Sequence, residues 1–582
     1  EDTGNYSALI PPTAVTKTGL FTVHQVGEKW YFEIPDSLLN RLLLSVTRFV
    51  SAPANPRFFG GEVANQQVVY WEKIGRKMLL RAYFLHSSAD GKGEISKAVA
   101  VNNESPVLAC FPIEAERNSH SLIEITDLVE EDIPAFSIRP VLKSRYEISA
   151  YQKNKSFIKS VRTFPLNTEV KTLRTYLVRL DESGQKDCIF PVAETTGLIT
   201  AELNTSFILL PKEPMRRRLY DLRVGYFARQ YEFYGDEQQT AGNKKFICRW
   251  RLEPRPEDVE KMKRGELVEP QKPIVYYVDT AIPDKWRDYI KKGIEDWQTA
   301  FEKAGFKNAI IAKEITDSMH VDMDDVNYSV LTYAASEKKN AMGPSLLDPR
   351  SGEILEADIM WWHNVLSMVR EWITVQTGTV CPEARSVQLP DSLMGDAIRF
   401  VACHEVGHSL GLRHNMMGSW AFPTDSLRSA AFTSRMNSTA SSIMDYARFN
   451  YIAQPGDGVK VLSPHIGPYD MFAIEYGYRW YGKNTPEEEK DILFDFLSKH
   501  TDRLYKYSEA QDVRDAVDPR AQNEDLGDDP VRSSQLGIAN LKRIVPQILQ
   551  WTTTGEKGQT YEEASRLYYA VINQWNNYLY HV

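Results

Sequence analysis

The first half of the chain is marked by short apolar runs that alternate with polar residues, and the second half by longer helical stripes. Within residues 1–252 the runs come in pairs with a glycine between them. Phe21–Val26 precedes Trp30–Ile34 in this way, and Val68–Ile74 precedes Lys77–Phe84. Paired runs around a glycine turn are typical of β-hairpins. The pattern therefore predicts a β-rich N-terminal module of one or two subdomains.

A segment rich in proline and charge, residues 253–272, is predicted to be a linker. Beyond it, short apolar strands alternate with helical stripes, an order that favours an α/β layer. The stripe that begins at Asp284 predicts one helix up to Ala304, closed by Gly305. The predicted strands are Ile274–Val278, Ala309–Ile315 and Tyr328–Ala334, followed by a hairpin or loop within Ala341–Trp362 and a helix near Val365–Gln376.

Beyond about residue 485 the apolar spacing is helical, in Pro486–His500, Ser533–Trp551 and Thr560–Tyr580. The whole chain is therefore expected to be an α+β, multidomain protein. Its predicted parts are the β-rich module (1–252), the linker (253–272), an α/β domain (273–484) and a helical C-terminal segment (485–582).

Composition and charge limit the partners of such a chain. It has 582 residues, too many for one core, and its 42% of hydrophobic and 25% of charged residues are ordinary for a globular protein. The net charge is −9, and Arg216-Arg217-Arg218 is the main basic block. We expect that triplet on a solvated or salt-bridged face, and we expect no nucleic-acid partner. No apolar run approaches 18 residues, so no transmembrane helix is expected.

Cysteines and chain ends add little chemistry. The five cysteines are odd in number and lack Cys-x-x-Cys spacing, which disfavours a disulfide framework or a cysteine metal site. A single disulfide bridge is still compatible with the sequence. The chain begins at Glu1 without a signal-peptide pattern, so we expect that a signal was removed or left out. Tyr578–Val582 is apolar and uncapped, and it resembles a chain cut within its structure. The sequence does not indicate an oligomeric state.

Residues 404–414 carry the most specific signal, His-Glu-x-x-His-x-x-Gly-x-x-His. His404 and His408 lie one turn apart on a single helix face, so they can bind one ion together. Gly411 tolerates positive φ and lets the chain leave the helix. The turn can then bring His414 back as a third nitrogen ligand. Three neutral imidazoles with an open position indicate one catalytic zinc ion.

The residues around this motif supply its structural context and its base. Asp391 or Ser392 is predicted to be the N-cap of the helix, and an apolar stripe that starts at Met394 leads to the first histidine. Glu405 adjoins that ligand and can reach the open, water-bearing position. It is predicted to act as the general base and then to pass the proton to the leaving amine.

A second element follows in Ser441-Ser442-Ile443-Met444-Asp445-Tyr446. With the long histidine motif, it makes the chain resemble the metzincin clan of zinc endopeptidases. The resemblance implies that Met444 forms a hydrophobic floor beneath the three imidazoles, as the Met of a Met-turn. It also implies that Tyr446 lies near the zinc and stabilises the oxyanion. The order of strands and helices before the motif is similar too, with an antiparallel edge strand expected near Ala341–Leu347.

Three strings extend the resemblance beyond the motif: Gly19-Leu20-Phe21-Thr22-Val23-His24, Arg223-Val224-Gly225-Tyr226-Phe227, and Gly343-Pro344-Ser345 through Asp358. With them, the chain as a whole most resembles large secreted bacterial metzincin-like proteins with uncharacterised N-terminal regions. This resemblance implies an extracellular, periplasmic or cell-surface location. Asn415, after the third histidine, departs from the residues of the better-known metzincin families. Substrate preference therefore cannot be taken from them.

The function that these observations predict is a zinc-dependent endopeptidase acting on a protein or peptide. In it, zinc-bound water attacks the peptide carbonyl, Glu405 is base and then acid, and zinc and Tyr446 stabilise the oxyanion. Two alternatives stay open. One is a catalytically silent zinc-containing binding or adhesion protein of the same fold. The other is a zinc hydrolase acting on a non-peptide bond. The N-terminal module is expected to assist folding, to confer latency or to recruit substrate.

Other candidate ligands are weaker. Cys248 could cap the zinc as a thiolate, although a buried strand cysteine is favoured, and Cys403 is expected in the core. Three isolated histidines and an acidic run that could bind calcium are expected to be ordinary hydrogen-bonded or solvated groups. They are His320, His363 and His465, and Asp322, Asp324 and Asp325.

Overall fold

The computed structural model describes residues 6–53, 60–83, 87–89, 104–128, 131–180, 189–234, 242–316, 318–334, 341–342, 345–509 and 518–582. The strands of the N-terminal half are β1 Val15–Lys17, β2 Thr22–Val26, β3 Lys29–Pro35, β4 Leu43–Ser51, β5 Val63–Ile74, β6 Lys77–Ala82, β7 Ser87–Ala89, β8 Val107–Pro112, β9 Ala115–Arg117, β10 His120–Glu124, β11 Ile148–Tyr151, β12 Phe157–Thr163, β13 Asn167–Val178, β14 Leu198–Leu209, β15 Ala228–Tyr234 and β16 Gly242–Ile247. Those of the following part are β17 Ile274–Val278, β18 Ile310–Glu314, β19 Ser329–Ala334, β20 Ala341–Met342, β21 Ser345–Asp348, β22 Glu353–Ala357 and β23 Ile359–Trp362.

The helices lie mostly in the second half of the chain. They are α1 Tyr6–Leu9, α2 Pro140–Arg145, α3 Pro191–Thr196, α4 Val259–Lys263, α5 Asp284–Glu295, α6 Gln298–Lys303, α7 Val365–Thr377, α8 Asp391–Ser409, α9 Ala430–Met436, α10 Pro468–Tyr478, α11 Pro486–Lys499, α12 Pro530–Ile544, α13 Ile548–Thr552 and α14 Glu562–Tyr580. The predicted fold class, an α+β chain with a β-rich N-terminal region and a helical C-terminal portion, is confirmed.

Two antiparallel sheets make up most of the N-terminal half. Strands β1-β2-β3-β10-β9 form the smaller one, and β11-β13-β14-β4-β5-β6-β8 form the larger one with β12 beside β13. Both predicted hairpins are present, since β2 pairs with β3 and β5 with β6. The sheets share a core that contains Phe21, Phe32, Trp71 and Phe207, all fully buried. Alternating apolar residues therefore close a sheet-on-sheet core.

A five-stranded sheet of order β18-β17-β19-β23-β20 supports the candidate site. Its first four strands are parallel, and β20 runs antiparallel at the edge, where an antiparallel edge strand was expected. Strands β21 and β22 form the hairpin predicted within Ala341–Trp362. The helix predicted over Asp284–Ala304 is instead two helices, α5 and α6, with a break at Asp296-Trp297. Trp297 remains fully buried at the break.

Helix α8 crosses α5 at close range. A Cβ at Gly293 of α5 would lie 2.6 Å from the Arg399 carbonyl oxygen, so only glycine permits this approach. The predicted apolar stripe of α8 faces the core, where Ala397, Ile398 and Ala402 are buried. At the N-terminus of α8 the N-cap prediction is wrong. The cap position is Pro390 with no side-chain hydrogen bond, and Asp391 is the first helical residue.

Part of the N-terminal half belongs to the same core as α8. Val224, Tyr226, Ile247 and Leu252 lie in one hydrophobic cluster with the residues of α8. Residues 224–228, here called the strap, run beside the loop that follows α8, with a bridge between Tyr226 and Leu412. The predicted boundaries at 252–273 and 484 remain predictions, and the packing is continuous across them.

The basic triplet is salt-bridged but not on a solvated face. Arg218 is buried, and its Nε lies 2.9 Å from Oε2 of Glu489, which is also buried. Arg217 stacks over the rings of Tyr231 and Phe246. Charge alone indicated a solvated or salt-bridged face for this triplet and gave no sign of burial. A buried carboxylate from α11, some 270 residues along the chain, decides the outcome.

Candidate metal centre

The three histidines of the motif converge in the structure. The ring nitrogens of His404, His408 and His414 lie within 4.8 Å of one another. His404 and His408 project from consecutive turns of α8, and Nε2 of His408 lies 3.0 Å from Nε2 of His414. Among the described residues this is the one group of three or more potential ligand side chains close enough to hold an ion. The loop between Gly411 and His414 therefore returns the third imidazole to the helix, as the spacing predicts.

Gly411 makes that return possible for two reasons. Its φ is +98°, a conformation that L side chains rarely adopt. In addition, a Cβ at this position would lie 2.1 Å from the carbonyl oxygen of Cys248. The strap holds the same loop by two backbone bonds, from Phe227 N–H to the Gly411 carbonyl and from Arg413 N–H to the Gly225 carbonyl, both 2.8 Å. The zinc-motif loop is thus fixed by residues from outside the helix that carries the motif.

Backbone carbonyls orient two of the imidazoles. Nδ1 of His404 donates to the Ile443 carbonyl at 2.8 Å, and Nδ1 of His408 donates to the Leu412 carbonyl at 2.9 Å. With the proton on Nδ1, the Nε2 lone pair is free to bind a metal. Burial lowers the pKa of all three imidazoles, that of His414 to about 3, so they are neutral at pH 7. The donor set, the tautomers of His404 and His408 and the neutral charge state fit one zinc ion.

Glu405 follows the first histidine on α8 and is half-buried. Burial raises the pKa of its carboxyl to about 8, and the positive charge of Arg448 opposes that rise. A bound cation would act in the same direction as Arg448 and lower this pKa by Coulombic attraction, because it favours the carboxylate. A carboxyl with a raised pKa beside three neutral imidazoles is suited to accept and release a proton near neutral pH.

Residues 441–446 form a buried turn against α8. A Cβ at Gly407 would lie 2.2 Å from the Sδ of Met444, so the thioether packs directly on the helix between the two histidine turns. Met444 itself is fully buried. Its carbonyl accepts a 3.0 Å bond from the N–H of Asn415. The turn and the third-ligand loop are therefore locked to each other.

Asp470 is a residue that the sequence analysis missed. It is fully buried at the start of α10 and accepts bonds from the Ser442 hydroxyl at 2.7 Å and the Ile443 N–H at 2.8 Å. It also accepts from the Gly467 N–H at 2.8 Å, and burial raises the pKa of its carboxyl to about 7. The signal was present in Gly467-Pro468-Tyr469-Asp470, a helix start with proline at N1 and an acid at N3. Nothing in that pattern shows that the acid also holds the turn beside His404.

Tyr446 lies over two of the imidazoles. Its ring centroid is 4.3 Å from that of His414 and 5.5 Å from that of His404, with an angle of 30° between the Tyr446 and His404 ring planes. The structure thus brings Tyr446 to the histidine cluster. Asn415 instead turns away, since its side-chain amide donates to the Lys506 carbonyl at 3.0 Å and its side-chain oxygen accepts from the Ser508 N–H at 3.2 Å.

The weaker candidates do not join the cluster. Cys248 is buried, and burial raises the pKa of its thiol to about 11, while Cys403 is buried in the core as expected. His320 and His363 are exposed, and His465 is half-buried. In the acidic run, Asp324 pairs at 2.8 Å with both Arg162 and Lys171, and Asp322 also pairs with Arg162. The carboxylates of Asp322 and Asp324 are thereby neutralised by cations of the protein, and calcium at this loop stays unsupported.

One comparison with known protein families covers the region that carries the histidine motif. Residues 386–582 match a family model described as Met-zincin. Residues 61–255 and 3–52 match two domains of unknown function, DUF5117 and DUF5118. No match was found among curated proteins or among solved structures. Among the described residues, no helix combines the length and apolar composition that crossing a membrane requires.

Proposed function

We propose that this protein is a zinc-dependent endopeptidase, because residues 386–582 match the family model described as Met-zincin. The observation that carries the proposal is the convergence of His404, His408 and His414 around one point, with Glu405 directly after His404 on the same helix. An active-site acid or base commonly has a perturbed pKa, and that of Glu405 is raised.

The three imidazoles would hold the zinc through nitrogen atoms. When bound, zinc acts as a Lewis acid that polarises the substrate carbonyl and lowers the pKa of water. Glu405 accepts the proton from the attacking water and delivers it to the nitrogen of the leaving amine. Tyr446, placed over the imidazoles, donates a hydrogen bond from its hydroxyl to the carbonyl oxygen as negative charge develops there. Met444 supports the ligands from beneath through its contact with Gly407.

The test is cleavage of an unstructured protein, followed by gel and mass spectrometry, with zinc content measured on the same samples. Wild type is expected to cleave, to lose activity with a chelator and to regain it with zinc. Glu405→Gln keeps the shape of the side chain but cannot act as a base. It should therefore retain zinc and lose activity by at least about 10³-fold.

The silent binding protein is the alternative outcome of this experiment. If wild type and Glu405→Gln both hold one zinc per chain and neither cleaves any of a broad set of unstructured substrates, the peptidase proposal is refuted. A zinc hydrolase acting on another bond would instead show Glu405-dependent turnover of an ester or other amide-free substrate.

A further inference from the structure

Arg448 lies two residues beyond Tyr446, and its guanidinium is held between two aromatic rings. Its Cζ is 4.3 Å from the ring centroid of Tyr446 and 4.0 Å from that of Trp372 on α7. The side chain is only 16% exposed. A planar cation between two ring faces is attracted to both and restricts the tilt and rotation of each. The guanidinium of Arg448 therefore contacts the ring of Tyr446 and ties it to Trp372.

An ion pair anchors the guanidinium in that position. Nε of Arg448 lies 3.1 Å from Oε1 of Glu524. The other oxygen of that carboxylate accepts a 2.8 Å bond from the side-chain amide of Asn577 on α14. A continuous chain of contacts thus links the last helix to the ring of Tyr446.

The backbone at both ends of this ion pair is in the left-handed region. The described part of the chain has eight non-glycine residues with positive φ, and two of them, Arg448 at +54° and Glu524 at +63°, are partners in this single pair. Such residues persist where the surrounding structure over-determines them, and they concentrate at functional sites. A merely local surface pair requires no such conformation at either partner.

We propose that Arg448 is a positioning residue that holds the ring of Tyr446 over His414, with Glu524 as its anchor. The inference rests on the proposed function for the role of the Tyr446 hydroxyl. The placement of the ring is a separate claim, and it can be tested without turnover. In this arrangement α14 supports the position of Tyr446 indirectly, because its Asn577 supplies the amide that orients Glu524.

The first test is a double-mutant cycle on peptide cleavage. Arg448→Met keeps the aliphatic stem and removes the cationic plane. It should lower kcat by about 10-fold or more while KM changes by less than about 3-fold, since only the transition-state contact is displaced. In a Tyr446→Phe background the same change should cost no further kcat, because the hydroxyl is already absent. Fully additive losses, or no loss from Arg448→Met, would overturn the proposal.

The second test reads the ring position directly. 3-Fluorotyrosine at position 446 gives a ¹⁹F signal, and Co²⁺ added as the metal probe broadens that signal according to its distance from the ring. Arg448→Met and the milder Glu524→Gln should both weaken the broadening and shift the signal. Unchanged broadening and shift in both variants would overturn the proposal, whatever the activity.

A matched control separates positioning from general damage. Arg435 stacks on Phe432 at 5.3 Å and is exposed, so Arg435→Met removes an arginine–aromatic contact away from the site. It should change neither kcat nor the ¹⁹F signal. Glu524→Gln keeps the size of the side chain and remains informative if Arg448→Met fails to fold. If wild type cleaves nothing but the signal of Tyr446 still depends on Arg448, the proposed function fails and the positioning role stands.

Discussion

Replacing Glu489 by Gln should destabilise the protein far more than the same change two residues earlier on α11. Glu489 is fully buried and faces Arg218, which is 1% exposed, with Nε–Oε2 and Nη2–Oε1 distances of 2.9 and 3.2 Å. Arg216 approaches the same carboxylate at 3.4 Å. Burial lowers the pKa of the neighbouring Arg249 to about 10, and Glu489 counters this effect. One carboxylate therefore compensates several buried guanidinium groups.

The size of the expected loss in stability follows from the missing negative charge of the Gln side chain. Gln preserves the shape but replaces one of the two acceptor oxygens by an NH2 donor, and it leaves the charge of Arg218 without a counter-charge in a low-dielectric interior. Removing one partner of a buried pair costs about 3–5 kcal/mol. The matched control is Glu487→Gln. Glu487 is 57% exposed and pairs with Lys244 at 2.8 Å, and such surface pairs contribute about 0–1 kcal/mol.

Urea unfolding followed by tryptophan fluorescence measures the difference. With a slope near 3 kcal/mol per M, Glu489→Gln should lower the midpoint of the transition by about 1 M or more, and Glu487→Gln by less than about 0.3 M. The chain has several domains, so midpoints of the same transition are compared rather than extrapolated free energies. Equal midpoint shifts for the two variants would refute the argument that burial of this carboxylate is what stabilises the packing.

Three further outcomes are expected. Gly411→Ala should weaken zinc binding by at least about 10-fold, measured by competition with a chelator. A Cβ there meets the Cys248 carbonyl at 2.1 Å, whereas Gly456→Ala, with a similar φ of +95° and open space, should bind zinc normally. In metal-free protein, burial raises the pKa of Glu405 from 4.5 to about 8, so the folded state is stabilised below pH 4.5 and loses that stabilisation as pH rises to about 8. Glu405→Gln cannot ionise, so its melting temperature relative to wild type should be higher at pH 9 than at pH 5, and an equal difference at both pH values would contradict this. A chain starting at Lys272 should fail to fold, because it lacks the strap and its buried side chains; a cooperative melting transition with bound zinc in that chain would show the opposite.

Strong local patterns made the zinc motif and its helix predictable. The spacing of His404, His408 and His414 specifies one helix face and one returning turn, and Gly411 marks the residue at which the chain leaves the helix. Paired apolar runs around glycine likewise predicted the hairpins of the N-terminal half. Each of these features depends on residues within about twenty positions of one another, a range over which backbone geometry alone relates sequence to structure.

Predictions failed where a distant residue decides the outcome. The salt bridge expected as one possibility for the basic triplet is present, but its burial was not expected, because Glu489 on α11 draws Arg218 into the core. Asp391 looked like an N-cap, but it lies inside the helix and pairs with Lys285 instead. Local composition cannot report such partners.

The sequence by itself determined which side chains form the candidate site, because three imidazoles and one carboxylate at this spacing can converge only in a few ways. Tertiary structure alone decided how rigidly those side chains are held. The strap fixes the loop of Gly411, Asp470 holds the turn of Met444, and the pair of Arg448 and Glu524 clamps Tyr446. These contacts join residues separated by roughly 30 to 190 positions. Packing in three dimensions therefore places these residues together, and no periodicity along the chain predicts the contacts.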